Sequence, residues 1–251
     1  MNMSGNTLLI TGATSGIGRG LAEAFHARGN QVIITGRRQA LLDEITEANP
    51  GMAGYRLDLA DEAMLAGVAA DVRARFPALN VLIANAGISQ TEDLTAEGWN
   101  TDVAQAIVDT NILGVIRATA AFLPLIKTRP DATLMATSSA LAFIPRAVFP
   151  TYCASKAFLH SWLLSLRYQL RDIPVEVLEL APPYVQTMIT GIQQATDPRA
   201  MPLAEYIHEV MTLLERHDHP GGEILLERDK ARRWAERDGT YDAIFRAMNP
   251  V

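Results

Sequence analysis

A glycine-rich turn near the start of the chain separates a short apolar run from a helical pattern. Residues 8–10 predict a strand, and apolar residues at helical spacing follow over 17–28. Gly12, Gly16 and Gly18 stand between them. Glycines let a backbone approach a pyrophosphate closely, and the N-terminus of the following helix supplies free N–H groups. Such a turn can be plain turn chemistry, but its place between a strand and a helix favours nucleotide binding in an α/β fold.

Short β-rich runs alternate with longer helical patterns along most of the chain. This alternation predicts right-handed βαβ crossovers and a doubly wound parallel sheet with helices on both faces. No internal repeat, low-complexity tract or linker interrupts the pattern, which predicts one domain over residues 1–251. Seven strands are predicted, over residues 8–10, 31–35, 55–57, 81–84, 133–137, 175–180 and 223–226.

Two segments depart from the alternation. Residues 188–219 form a long connection between the last two strands, and long connections usually have a function of their own. An apolar stripe at helical spacing runs through it from Leu203 to Leu214. We therefore expect 188–219 to be a lid over the substrate. Residues 227–251 are charged and then amphipathic, which predicts a helical tail on the surface without assigning it a function.

Composition and charge argue against several classes of protein. The formal net charge of −6 disfavours nucleic acid or an anionic membrane as the main partner. The single cysteine, Cys153, allows no internal disulfide, and no basic segment with a following apolar block opens the chain. The longest apolar stretch, 112–126, contains Arg117 and predicts a buried helix too short to cross a bilayer. We expect a cytoplasmic protein.

Tyr152 and Lys156 are four residues apart, so on a helix they lie on one face. A free tyrosine has a pKa near 10, and a nearby ammonium would lower it towards the range of a useful general acid/base. The pair alone is weak evidence, since most such pairs are solvated helix faces. Ser139, thirteen residues before Tyr152, strengthens it, although Ser138 offers a second hydroxyl.

Together these motifs resemble the short-chain dehydrogenase/reductase family in its NAD(P)-dependent form. The match covers about the first 190 residues in the right order and spacing. Pro182-Pro183, where the family has Pro-Gly, and the charged tail are similar to its DltE-type branch. The resemblance implies a single-domain Rossmann fold that transfers hydride between a nicotinamide and a ketone, aldehyde or alcohol. It implies four catalytic residues: Asn111, Ser139, Tyr152 and Lys156.

The resemblance also assigns residues to the cofactor. Lys156 is expected to hold the nicotinamide ribose, Asn111 to position a water that links Lys156 to solvent, and Asp58 to lie by the adenine. The residues that the resemblance places at the cofactor are Gly12, Thr14, Ser15, Gly16, Ile17, Gly18, Arg37, Arg38, Asp58, Leu59, Asn85, Ala86, Gly87, Tyr152, Lys156, Pro182, Val185 and Thr187.

The end of the second strand predicts a preference for NADP(H) over NAD(H). NAD-selective relatives place an acidic residue where this chain has Gly36, and that carboxylate repels a 2′-phosphate. Arg37 is the expected phosphate contact, because a guanidinium forms paired, charge-assisted hydrogen bonds. Alternatively, Arg37 and Arg38 begin a solvated helix. Ser15 is neutral where many NADP-using relatives have a basic residue, so the expected preference is moderate.

The predicted substrate pocket is apolar and favours medium-sized apolar or aryl ketones and aldehydes over sugars and free acids. The direction of Arg146 stays open. The residues expected to line this substrate pocket are Leu141, Phe143, Phe149, Tyr184, Met188 and Ile192.

Other partners and rival functions follow from the same sequence. His217 and His219 beside Asp218 indicate a polar loop, and we expect no metal. The family resemblance implies a homo-dimer or homo-tetramer that pairs through helices over 111–127 and 152–171. A non-catalytic NAD(P)-binding redox sensor or scaffold is the main rival, although sensing does not need Ser139, Tyr152 and Lys156 together. A sugar-nucleotide epimerase would need a longer substrate domain.

Overall fold

One sheet of seven parallel strands forms the centre of the molecule, as the sequence predicts. The computed structural model describes residues 1–250. The strands are β1 (Thr7–Ile10), β2 (Gln31–Gly36), β3 (Ala53–Arg56), β4 (Val81–Ala84), β5 (Ala132–Thr137), β6 (Val175–Leu180) and β7 (Glu223–Ile224). Their order is β3-β2-β1-β4-β5-β6-β7, and every neighbouring pair is parallel. This is a doubly wound Rossmann sheet.

Helices cover both faces of the sheet. They are α1 (Gly16–His26), α2 (Gln39–Ala48), α3 (Glu62–Arg75), α4 (Asp102–Ile107), α5 (Gly114–Ile126), α6 (Pro150–Gln169), α7 (Ile192–Thr196), α8 (Leu203–Glu215), α9 (Lys230–Arg233) and α10 (Tyr241–Met248). Because side chains alternate along a strand, Leu8 and Ile10 pack with α1, α2 and α8, whereas Leu9 packs with α3, α5 and α6. The core is therefore two apolar layers, one on each side of the sheet.

The apolar stripe of 188–219 belongs to the core and not to a lid. Tyr206, Val210 and Leu214 of α8 are fully buried in the layer that contains α1. A Cβ at Gly20 of α1 would lie 2.8 Å from Cγ1 of Ile207, so the two helices approach closely. The lid prediction is wrong for α8, because periodicity shows that a helix has a buried face without showing what covers it.

The helical run Asp102–Ile126 is longer than the sequence indicates. A π-helical turn, Val108–Leu113, joins α4 to α5, so that 25 residues continue as one helix. By length and composition alone this run could cross a membrane, and the prediction that it is too short is wrong. In the fold, Val115 and Phe122 are buried against the sheet, so α5 is a core helix.

The C-terminal tail folds back across the molecule. Arg233 of α9 forms a two-pronged ion pair with Glu223 of β7, at 2.7 and 2.8 Å. After α10, the Asn249 side chain accepts a hydrogen bond from the N–H of Ala147 at 2.7 Å and donates to the carbonyl of Pro145 at 3.1 Å. The tail is therefore fixed at one end to β7 and at the other end to the segment that follows β5.

Candidate active site

A cleft of about 1170 Å³ lies along the carboxyl ends of the strands. It spans the position where the strand order reverses between β1 and β4, which is where doubly wound sheets bind ligands. All eighteen residues that the sequence assigns to the cofactor line this cleft. Their roles as cofactor ligands stay predictions, but the fold brings them together.

The glycine turn at one end of the cleft is held against the end of β4. A Cβ at Gly12 would lie 2.6 Å from Cα of Ala86, and one at Gly18 would lie 2.5 Å from Nδ2 of Asn85. The Thr11 hydroxyl accepts hydrogen bonds from the N–H groups of Asn85 and Ala86 at 3.0 and 3.1 Å. These glycines are thus required by packing as well as suited to a ligand.

The N-terminus of α1 opens onto the same end of the cleft. Ser15 is its N-cap residue, and the Ser15 side chain makes no capping hydrogen bond to the helix. The first-turn N–H groups and the positive end of the helix dipole therefore face the glycine turn. A glycine cradle beside an uncapped helix N-terminus fits the pyrophosphate of a dinucleotide.

Arg38 reaches across from β2 to the glycine turn. Its guanidinium donates to Oγ1 of Thr14 at 3.0 Å and to Oγ of Ser15 at 3.1 Å. Arg38 therefore does more than begin α2, of which it is the exposed N-cap residue. Arg37 also lines the cleft, and a Cβ at Gly36 would lie 2.5 Å from Cγ2 of Thr14, so a larger residue there would have to displace the Thr14 side chain.

The three residues proposed for chemistry meet near the middle of the cleft. Ser139 follows β5, while Tyr152 and Lys156 lie one turn apart in α6, and all three are buried. Nζ of Lys156 donates to the carbonyl of Thr137 at 2.8 Å and lies 5.7 Å from the centre of the Tyr152 ring. The arrangement places a phenol, a hydroxyl and an amine around one point of the cleft wall.

Burial shifts the pKa values of Tyr152 and Lys156. It raises the pKa of Tyr152 to about 12, while hydrogen bonding to Ser139 acts in the opposite direction. It lowers the pKa of Lys156 to about 8. The expected net lowering of the Tyr152 pKa is therefore not found, because the desolvation of the phenolate dominates. The Lys156 ammonium, which is directed at the carbonyl of Thr137, does not offset this cost.

Asn111 lies behind the cleft wall. It is fully buried in the π-helical turn, and π-helical turns often mark functional positions. Its amide accepts from the N–H of Ile88 at 2.9 Å and donates to the Ile88 carbonyl and to Oγ of Ser155, both at 3.0 Å. Asn111 does not line the cleft, so its side chain acts as a positioning residue for the chain after β4.

Ser138 points away from the chemistry. Its hydroxyl donates to the fully buried carboxylate of Glu179, which also binds Nδ1 of His160 at 2.8 Å. This geometry favours Ser139 as the hydroxyl at Tyr152. His160, Glu179 and Glu223 lie close enough together to hold a metal ion. Within the protein, however, Glu223 is paired with Arg233.

The segment after β6 covers the glycine turn despite its second proline. A Cβ at Gly16 would lie 3.3 Å from Cγ2 of Thr187. The buried amide of Gln194 donates to the carbonyl of Val185 at 2.7 Å and to the Thr187 hydroxyl at 3.3 Å. The sequence offers no signal for Gln194, because this contact depends on how the chain folds back after Pro182.

The predicted substrate residues divide into two groups. Leu141, Phe149, Tyr184 and Met188 line the cleft. Phe143 does not, because its ring packs edge-on against His160 at 5.2 Å. Ile192 is 66% exposed on α7. The structure therefore does not bring Phe143 and Ile192 into the cleft lining.

Four arginines that the apolar prediction leaves out line the substrate end of the cleft. They are Arg146, Arg199, Arg228 and Arg232. The last three lie in the segments after β6 and β7. The tail also contributes Ala247, Met248 and Pro250 to the lining. Its charged composition is visible in the sequence, but its return to the cleft depends on tertiary contacts.

Comparison with known proteins agrees with this geometry. A model of the short chain dehydrogenase family matches residues 6–198. The chain belongs to this family, whose members are oxidoreductases. It is 37% identical to the uncharacterised oxidoreductase DltE of Bacillus subtilis strain 168, over 99% of this chain and 98% of DltE. This similarity places it in the DltE-type branch.

Solved structures give the same result for the fold. A 3-ketoacyl-(acyl-carrier-protein) reductase from Brucella melitensis in complex with NADH has a TM-score of 0.75 and 25% identity, and the match covers 84% of this chain and 91% of that one. A short-chain dehydrogenase from Burkholderia cenocepacia J2315 in complex with NADP has a TM-score of 0.82 and 22% identity, over 98% and 99% of the two chains. Both structures therefore share the fold of this chain.

Proposed function

We propose that the protein is an NADPH-dependent carbonyl reductase with Tyr152 as its general acid. The observation that carries this proposal is the convergence of Ser139, Tyr152 and Lys156 on one cleft wall beside the glycine turn. A raised pKa of about 12 keeps Tyr152 protonated near neutral pH, which is the form that reduction needs.

Reduction of a carbonyl adds a hydride to its carbon and a proton to its oxygen. The bound reduced nicotinamide supplies the hydride. Tyr152 gives its proton to the oxygen, and the Ser139 hydroxyl donates a hydrogen bond that stabilises the developing negative charge. Lys156 lies one helical turn away and stabilises the phenolate that remains. Asn111 holds the backbone of Ile88, which also lines the cleft, and so keeps that part of the wall in place.

The nucleotide end of the cleft supports NADPH over NADH. Gly36 leaves no carboxylate to repel a 2′-phosphate, and Arg37 and Arg38 both line the space beyond it. Each charge-assisted hydrogen bond from a guanidinium contributes about 1.5–3 kcal/mol. Arg37 remains the proposed phosphate contact, while Arg38 also braces the turn through Thr14 and Ser15.

We also propose that the protein is a cytoplasmic homo-dimer or homo-tetramer. Large apolar side chains are exposed on α6 and on the π-helical turn, namely Val108, Leu113, Phe158, Leu164 and Tyr168. Only 39% of the most apolar window of Asp102–Ile126 is buried within the chain. Adjacent exposed apolar surface of this kind is typical of a protein–protein interface. Light scattering of the purified protein measures the number of subunits.

The test of the function is NADPH and NADH oxidation against a panel of ketones and aldehydes. We expect turnover with at least one carbonyl compound and a higher kcat/KM for NADPH than for NADH. Tight cofactor binding without turnover of any carbonyl compound would favour the redox sensor or scaffold. A preference for NADH would contradict the proposed role of Arg37.

A further inference from the structure

The substrate end of the cleft is basic in a protein whose net charge is −6. Arg146, Arg199, Arg228 and Arg232 line it, and Asp229 is the carboxylate among its lining residues there. Charges of one sign in a cleft with low-dielectric walls raise the local concentration of ligands of the opposite sign. The apolar pocket expected from the sequence does not account for these four side chains.

Two of the arginines are already paired. Arg232 donates to Oδ1 of Asp229 at 3.0 Å, and Arg199 binds the Asp197 carboxylate at 2.7 Å. Burial also raises the pKa of Asp229 to about 6. Asp197 in turn accepts from the Tyr184 hydroxyl at 3.2 Å. The carboxylates at this end are therefore engaged and leave a net positive charge.

The other two arginines, Arg146 and Arg228, take part in none of the ion pairs formed among residues 1–250. Both are exposed to the cleft. A free guanidinium beside a ligand cleft is well suited to a carboxylate, phosphate or sulfonate, because its paired N–H groups match two oxygens of such an anion.

Backbone contacts fix the position of Arg146 relative to Tyr152. Its carbonyl accepts from the N–H of Phe149 at 3.0 Å and from the thiol of Cys153 at 3.8 Å. Cys153 is the residue after Tyr152. The backbone of Arg146 therefore lies against the first turn of α6, the helix that carries the proposed acid. Asn249 holds the tail to the residues on either side of Arg146.

We propose that Arg146 and Arg228 form an anion-binding subsite, and that the substrate is an aldehyde or ketone with a carboxylate, phosphate or sulfonate group. This inference rests on the proposed reductase function and specifies its substrate class. It replaces the preference for uncharged apolar ketones that the sequence favours. Leu141, Phe149 and Met188 then pack on the carbon chain between the carbonyl and the anion.

A pair of probes that differ by methylation of one carboxylate, which removes its charge, tests the proposal. The probes are 4-oxobutanoate and its methyl ester, assayed with saturating NADPH. We expect wild type to prefer the acid in kcat/KM by about tenfold or more. In the double variant Arg146→Ala/Arg228→Ala the ratio of acid to ester should fall about tenfold, mainly through KM for the acid. Phosphonate and sulfonate analogues of the same length identify the preferred anion.

Arg73→Ala is the matched control, because Arg73 is an exposed arginine on α3, away from the cleft. It should leave the ratio of acid to ester unchanged. The subsite would be overturned if wild type has a higher kcat/KM for the ester than for the acid. It would also be overturned if kcat/KM falls equally for acid and ester in the double variant. A double variant that weakens NADPH binding as strongly as acid binding would assign the arginines to the cofactor and also overturn it.

Titration of succinate into NADPH-saturated protein gives a readout without turnover. We expect succinate to bind wild type and Arg73→Ala and to lose at least about tenfold in affinity in the double variant. Equal binding by wild type and the double variant would contradict the proposal. Absence of turnover with both aldehydes, with succinate binding lost only in the double variant, would reject the reductase and retain the subsite.

Discussion

The two ends of the cleft are built by different means. At the nucleotide end, close backbone contacts fix the geometry: a Cβ at Gly12 or Gly18 would lie within 2.6 Å of the chain after β4. At the substrate end, side chains from segments far apart in sequence make the wall, as when Asn249 binds Pro145 and Ala147. The nucleotide end should therefore tolerate few substitutions, whereas a single substitution can alter the wall of the substrate end. We therefore expect substitutions at the two ends to affect cofactor and substrate separately.

Lys156→Ala should have the largest effect, because Lys156 lies where the two ends meet. It lines the cleft beside Tyr152 and is also the expected ribose contact. We expect kcat to fall about a thousandfold, as is usual for loss of a group in a proton-transfer system, together with weaker NADPH binding. Stopped-flow turnover and fluorescence titration of NADPH measure the two losses. Loss of turnover with unchanged cofactor affinity would remove Lys156 from the cofactor site.

The pH profile of carbonyl reduction tests the role of the Lys156 charge. Burial lowers the pKa of Lys156 to about 8, and the protonated form is the one that stabilises the Tyr152 phenolate. We therefore expect kcat/KM to be constant below this pKa and to fall about tenfold per pH unit above it. A profile that stays flat through about pH 10 would contradict the role of the ammonium.

Arg37→Ala and Arg38→Ala separate phosphate binding from support of the glycine turn. Arg37→Ala should lower kcat/KM for NADPH about tenfold to a hundredfold and spare NADH, because it removes charge-assisted hydrogen bonds to the 2′-phosphate. Arg38→Ala should weaken both cofactors, since Arg38 also binds Thr14 and Ser15. Equal losses for both cofactors in Arg37→Ala would refute its phosphate contact.

Asn249→Ala should have the smallest effect and act only at the substrate end. It removes the hydrogen bonds that hold the tail to Pro145 and Ala147. We expect KM for the carbonyl substrate to rise about threefold to tenfold. The dissociation constant of NADPH, measured in parallel, should stay unchanged. A change in NADPH affinity of the same size would show that the two ends are coupled.

The sequence predicts the nucleotide end better than the substrate end for a physical reason. A glycine spacing or a Tyr-x-x-x-Lys pair is local, and the strand–turn–helix pattern is enough to place it. The position of Arg228 depends instead on a tail that returns over the fold, and the buried face of α8 gives no sign of its partner. The pKa of Tyr152 also escapes prediction, because it depends on the burial of the folded site.

The most direct test of the proposed reductase is Tyr152→Phe, measured for kcat and for NADPH affinity. Removing the hydroxyl deletes the proton donor and little binding surface, so kcat should fall about a hundredfold or more while the dissociation constant of NADPH changes less than about twofold. Tyr55→Phe, at a tyrosine on β3 that does not line the cleft, should match wild type in both measurements. A Tyr152→Phe variant that keeps kcat within about tenfold of wild type would contradict the account.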